Sequence, residues 1–214
     1  MSNTIKIDKK IVGWKILDEL VDSERKSDIE DSHAPKRPLE LECEIHKANV
    51  RSDQWTIIVG MINGRPYEIM GGLSEYIDIP NKYDSGVIIK RPRKTMNAKY
   101  DLKFGENGSE VLLKDIVAIF DNPNHGSLTR MISMSLRHGV PVQYIVEQLQ
   151  KDKNSDMFSF SRVISRVLKK YIKDGCPVSN GLVASCNCEE DDEQNFIYQS
   201  GCVLCTTCGY SACG

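Results

Sequence analysis

Six of the chain's eight cysteines lie in its last 29 residues: Cys186, Cys188, Cys202, Cys205, Cys208 and Cys213. This tail has few groups from which to build a core. Leu182, Val183, Phe196, Ile197, Val203, Leu204 and two tyrosines are nearly all it offers. A segment so short needs a metal or another staple to hold one structure. The spacing suggests which. Cys186-x-Cys188 stands 17 positions before Cys205-x-x-Cys208, and two close pairs across a loop can converge tetrahedrally on Zn²⁺. Gly209, directly after the second pair, permits a tight turn that aims backbone N–H groups at thiolate sulfur.

Four ligands leave two sulfurs over, and two assignments are open. In the first, Cys186, Cys188, Cys205 and Cys208 bind the metal, leaving Cys202 and Cys213. In the second, Cys186, Cys188, Cys202 and Cys205 bind it, leaving Cys208 and Cys213. The glycine favours the first. The penultimate position of Cys213 and its C-x-x-x-x-C spacing from Cys208 favour the second. A thiol at a chain end can travel, and disulfide exchange requires direct attack of sulfur on sulfur.

Charge is as uneven as sulfur. Residues 181–214 hold five acids, Glu189 to Glu193, and no Lys or Arg. The remainder carries a balance of +3 within a whole-chain net charge of −2. An acidic ribbon is a poor partner for a polyanion, because phosphate binding depends on cationic contacts. Nucleic acid is therefore not expected as a ligand. The basic run from Lys90 to Lys94 reads as a solvated strand end. His33, His46, His125 and His138 stand singly, and none is assigned to metal. No apolar run approaches the roughly 20 residues of a membrane span, and the N-terminus lacks the pattern of a signal peptide. The expected location is the cytoplasm, where clustered cysteines more often mean metal or redox chemistry than structural disulfides.

The body reads as α+β: a small antiparallel sheet packed with about three helices, followed by the short zinc-ribbon-like tail. Residues 1–38 are expected to be an N-terminal segment and charged linker, 39–175 an α+β docking domain, and 176–214 the cysteine-rich tail. Leu41, Cys43 and Ile45 alternate with polar residues, as in a half-buried strand. Asn63-Gly64 between two apolar runs is a hairpin signal, because both central positions need positive φ. Gly71-Gly72 is expected to end that unit. SGVIIK and KYDLKF supply further strands. Past residue 127 the period becomes helical. Leu128, Met131, Ile132 and Leu136 form one stripe, and Val142, Ile145, Val146 and Leu149 a second. Phe160, Val163, Ile164, Val167, Leu168, Tyr171 and Ile172 form the third. Residues 174–185 read as a second linker.

The ending GCVLCTTCGYSACG resembles the C-terminus of adenosylcobalamin-dependent (class II) ribonucleotide reductases. So do HAPKRPLELECEIHKANV, QWTIIVGMINGRPYEIMGG and the run from LTRMISMSL to KKYIKDG. The resemblance covers about residues 33–214. Cys186-Asn187-Cys188 departs from it by replacing a longer first knuckle. The family's catalytic barrel, with its thiyl-radical cysteine and substrate-oxidised cysteine pair, has no counterpart here. The resemblance therefore implies a detached C-terminal component. It would serve a ribonucleoside-diphosphate reductase whose partner catalytic chain binds adenosylcobalamin. Cys213, with Cys202 or Cys208, would relay electrons from thioredoxin or glutaredoxin to that chain's active-site disulfide, and Zn²⁺ would hold the rest of the tail.

Two other classes remain open. One is a non-catalytic zinc-ribbon module with a binding or regulatory role. The other is a stand-alone thiol oxidoreductase, which would want a C-x-x-C at a helix start within a βαβ unit. Neither cysteine pair has that setting.

Overall fold

The computed structural model describes residues 34–92, 98–105, 108–120, 122–151, 159–178, 186, 188 and 196–212. All lie in one compact unit, His33–Gly214. The apolar stretch expected from Ile11 to Val21 and the linker up to residue 33 fall outside the described residues.

Six strands form an antiparallel sheet: β1 (Glu40–Val50), β2 (Asp53–Ile62), β3 (Arg65–Leu73), β4 (Ser85–Lys90), β5 (Tyr100–Phe104) and β6 (Val111–Leu113). Their spatial order is β3-β2-β1-β4-β5-β6. The β2–β3 hairpin turns at Asn63 and Gly64, with φ of 51° and 71°. These values suit a two-residue turn whose twist matches the flanking strands. Gly71 and Gly72 lie inside β3 and do not end the unit. A Cβ at Gly71 would stand 2.6 Å from Ile57 Cδ1 and 2.7 Å from the Thr56 carbonyl oxygen, and one at Gly72 would stand 2.7 Å from Phe120 Cδ1. The glycines are there for close approach.

Strand alternation sends alternate side chains to two cores. Leu41, Cys43 and Ile45 of β1 face a cluster with Ile58, Ile88, Leu102 and Phe104. The single turn α1 (Ile116–Ile119) and Phe120 close it. Val50, Trp55, Ile57, Val59 and Ile69 face the other side and meet the helices.

The helices are α2 (Pro123–Arg137), α3 (Val142–Lys151) and α4 (Phe160–Lys169). Asn122 caps α2 by accepting from the N–H groups of Asn124 and His125, and Pro123 follows at the first helical position. The helix ends at His138 and Gly139, the latter at φ 78°. One expected core position is different: Met131 is 59% exposed. The buried face turns instead through Thr129, Ile132, Ser133 and Leu136. Ser133 explains why. Its Oγ accepts from Ile69 N at 2.9 Å and donates to Ile69 O at 3.2 Å. A helix side chain thus occupies the outer edge of β3, where free N–H and C=O groups would otherwise invite another strand.

The tail forms a second, three-stranded antiparallel sheet of β7 (Phe196–Gln199), β8 (Cys202–Cys205) and β9 (Ser211–Ala212). Residues 174–178, read from sequence as part of a linker, are ordered against it. Gly175 N donates to Tyr198 O, Tyr198 N to Cys176 O, and Val178 N to Phe196 O. Asp174 Oδ1 accepts from Ser200 N at 2.7 Å. Phe196, Tyr198, Val203 and Cys205 join the same buried cluster as Trp55, Val163 and Leu168. The tail shares a core with the body, a feature that local periodicity cannot reveal.

The segment before β1 is also tied down. Tyr67 OH donates to Pro35 O, and Arg37 donates from Nε and Nη2 to the carboxylate of Glu68. Glu68 is fully buried and also accepts from Arg137 Nη2 at 2.7 Å. Two guanidinium groups on one buried carboxylate offset its loss of hydration.

Candidate metal centre

The register of the tail sheet sorts its sulfurs by face. Phe196 pairs with Cys205, Tyr198 with Val203, and Val203 with Ala212. Side chains alternate across a strand, so Cys205 points inward with Phe196, Tyr198 and Val203. Cys202 shares the outward face with Ile197, Gln199, Leu204 and Ser211. The inward residues are buried, whereas Ile197, Cys202 and Leu204 are half-exposed.

On the inward side, the Sγ atoms of Cys186, Cys188, Cys205 and Cys208 lie within 4.8 Å of one another. Cys186 Sγ and Cys205 Sγ are 3.7 Å apart, and Cys188 Sγ and Cys205 Sγ 3.8 Å. A tetrahedron with Zn–S bonds of about 2.3 Å has S···S edges of about 3.8 Å. A disulfide would need about 2.05 Å. The four thiols fit a tetrahedral thiophilic cation in both donor type and spacing. They run from buried Cys205 through half-buried Cys186 and Cys188 to exposed Cys208.

The turn after β8 builds this geometry. Gly209, at φ 76°, donates its N–H to Cys205 O at 2.9 Å, and Cys205 N donates to Tyr210 O at 2.8 Å. Nothing lies within 4 Å of a Cβ at Gly209, so its positive φ is what the turn demands. The backbone N–H of Cys208, then that of Thr207, draws the Cys205 thiol down to about 6 against the opposing effect of burial. Hydrogen bonds with Cys208 and then Cys186 push the Cys188 thiol up. The backbone N–H groups of this turn thus favour the thiolate form of Cys205, as a metal-ligating knuckle requires.

The structure therefore brings Cys208 to Cys186, Cys188 and Cys205, and keeps Cys202 out of that group. Cys202 is disulfide-bonded. Cys213 lies outside the described residues.

The remaining candidates are elsewhere. Cys43 is a buried free thiol, pushed up to about 12 by burial and then by the charge of Glu68, which makes it inert. His46 Nε2 lies 2.5 Å from Tyr171 OH, which donates to Glu44 Oε2 at 2.7 Å, linking β1 to the chain beyond α4. His125 stacks on Phe160 with ring centroids 4.0 Å apart. His138 caps α2. His33 and residues 93 and 94 of the basic run lie outside the described residues, and Arg91 pairs with Asp101 at 3.0 Å. Cys176 and Tyr198 had not been singled out from sequence. Cys176 is free and half-buried against the shared core. Tyr198 is fully buried, and burial, followed by the charge of Glu147, pushes its hydroxyl up to about 12. The alternation of Cys176 with Val178 is the available signal for extended backbone at this point, where Pro177 bridges to Ile197.

Residues 41–173 match the sequence model of the NrdJ homologue C-terminal domain. The chain belongs to this family. The match relates it to class II ribonucleotide reductase, as the resemblance in the first subsection implied. It spans the six-stranded sheet and helices α1 to α4 and stops before the tail sheet. No curated protein and no solved structure matches the chain. Among the described residues, no helix is long and apolar enough to cross a membrane.

Proposed function

We propose that the chain is the C-terminal component of a class II ribonucleoside-diphosphate reductase in the cytoplasm. It relays electrons to a partner catalytic chain, on which adenosylcobalamin is expected. The division of the tail sulfurs carries this reading: four converge as a metal cage while Cys202 stands apart in a disulfide on the opposite face.

Cys213 is the proposed partner of Cys202. Among the described residues, Cys202 is the bonded cysteine and the other six are free. The β8–β9 register pairs Leu204 with Ser211 and Val203 with Ala212, so Cys202 directly precedes one member of the last described pair, and Cys213 directly follows the other in sequence. Zn²⁺ is the proposed occupant of the cage, held by Cys186, Cys188, Cys205 and Cys208. Bound there, it would supply a structural cross-link and no redox chemistry. This assignment takes Cys208 out of the relay.

Each ribonucleotide reduction takes two electrons and leaves a disulfide in the catalytic chain. In the relay, one thiolate of the Cys202/Cys213 dithiol attacks that disulfide. A mixed disulfide forms, and one catalytic sulfur leaves as thiolate. The second thiol then displaces the other catalytic sulfur. The catalytic pair is left reduced, and Cys202–Cys213 is left oxidised. Thioredoxin or glutaredoxin returns it to the dithiol. A tether raises the effective concentration of this exchange.

Turnover of the reconstituted pair tests the reading. Cys202→Ser and Cys213→Ser should each abolish thioredoxin-dependent reduction while leaving turnover with dithiothreitol, which reaches the deep site directly. Intact thioredoxin-dependent turnover in either variant would refute the relay.

A further inference from the structure

The outward face of the tail sheet is a partly exposed surface that carries disulfide-bonded Cys202 at the start of its middle strand. Cys202 stands opposite Gln199 in the β7–β8 register, and Leu204, two residues on, stands opposite Ile197. Such pairs bring Cβ atoms to about 5 Å, and same-face neighbours along a strand to about 7 Å. Pro177, bridged to Ile197, extends the patch by one more strand position. Pro177 and Gln199 are exposed, and Ile197, Cys202 and Leu204 are half-exposed. Ile197 and Leu204 are absent from the shared core, which takes the inward residues.

The patch is uncharged. From Gln194 to Gly214 the sequence has no Asp, Glu, Lys or Arg. A chain with 27% charged residues overall thus places none on β7, β8 or β9, and the charge that the structure sets at the margin of this face is Asp174, which accepts from Ser200 N. Charged side chains would have to lose hydration when a second protein closed over the disulfide. Pro, Ile and Leu lose none and contribute apolar burial instead.

We infer that this face, with Ile197 and Leu204 as its anchors and Pro177 at its margin, is the docking surface for the dithiol protein that reduces the Cys202 disulfide. That protein meets it with an apolar, uncharged surface. The disulfide identifies the occupant, because the oxidised state is the one an electron donor must recognise. The inference rests on the relay reading only in taking Cys202 as redox-active. A thiolate of the donor attacks one sulfur of the disulfide and releases the other as thiolate. The donor's second thiolate then attacks the donor sulfur of the mixed disulfide, closing the donor's own disulfide and releasing this chain's remaining sulfur as thiolate. Two electrons and two protons pass to this chain, and the donor leaves oxidised.

The test uses the full chain alone, with reduced thioredoxin as the protein dithiol and dithiothreitol as the small one. The Ile197→Ala/Leu204→Ala double variant should lose at least tenfold in its rate constant with thioredoxin and change less than twofold with dithiothreitol. The wild-type thioredoxin rate should vary less than twofold between low and high salt, since no charge pair steers the encounter. Gln199→Arg serves as a second variant at an exposed position. Its cation attracts the small thiolate yet must be desolvated under a docked protein, so the thioredoxin-to-dithiothreitol rate ratio should fall at least tenfold. Unchanged thioredoxin rates, or equal losses with both reductants, would overturn the assignment. So would unchanged thioredoxin rates combined with slowed turnover of the catalytic chain, which would give the face to that chain. Because no catalytic chain is needed for the main measurement, failure here is distinct from failure of the relay.

Discussion

If the tail sheet is a layer of the body, damage to its core must be felt by the body. Phe196 is the sharpest probe. It is 1% exposed, on β7, in the buried cluster that contains Trp55, Val163 and Leu168. Phe196→Ala removes a whole ring from a site walled by two elements of secondary structure. Phe→Ala changes in cores cost about 3–5 kcal/mol, the transfer of the ring plus the cavity left behind. At about 1.4 kcal/mol per tenfold, that raises the opening equilibrium by about a hundredfold to a few thousandfold. Against a typical stability of about 5–15 kcal/mol it is a large fraction. Hydrogen exchange read by peptide is the assay. Cooperative packing predicts lost protection in peptides from α4 and β2 as well as from β7 and β8. If protection falls only in the tail, while α4 and β2 keep theirs, the ribbon is an independent unit and the shared core is wrong.

Further perturbations give separate outcomes. Single Cys→Ser changes at 186, 188, 205 or 208 should each lower bound zinc per chain, measured by mass spectrometry of metal content. Cys176→Ser and Cys202→Ser should leave it unchanged. Ser133→Ala should cost about 1–3 kcal/mol in denaturant unfolding, because it orphans Ile69 N at a buried strand edge. Gly71→Ala should cost about 1–3 kcal/mol through overpacking against Ile57 and the Thr56 backbone. For His46, burial and then Lys170 lower the pKa from 6.5, and for His125 burial lowers it. The unfolded chain therefore binds protons more readily. Stability present in full above 6.5 should decline as pH falls through that value toward the lowered folded pKa values. The His46→Gln/His125→Gln variant should flatten this acid limb in thermal melts from pH 7.5 to 5.

Local chemistry made much of the body legible in the sequence. Asn63-Gly64 specified its hairpin because few other residues tolerate positive φ twice. The stripe from Phe160 to Ile172 marked α4 because its apolar positions recur at the helical period. His138-Gly139 marked the end of α2. Met131 misled because it fits the stripe by spacing, while the helix is rotated so that Ser133 can bond to Ile69, a partner 64 positions away in sequence. Gly71 and Gly72 looked like a stop because glycine most often frees the chain. Here they make room for Ile57 and Phe120, contacts that only the folded chain discloses. The metal cage was half legible. Spacing and Gly209 pointed to Cys205 and Cys208, but the choice between Cys202 and Cys208 depends on which face of β8 Cys202 and Cys205 take and on where the turn after β8 carries Cys208. That face is fixed by the pairing of β8 with β7 and by burial against the body, and neither is written in the tail alone.

The most direct measurement is differential alkylation of the full-length native chain, purified without reductant, with peptide mapping and zinc content on the same sample. The account predicts one zinc per chain, a Cys202–Cys213 disulfide, and Cys186, Cys188, Cys205 and Cys208 alkylated only after the metal is removed. A Cys208–Cys213 disulfide, with Cys202 protected by zinc, would contradict it.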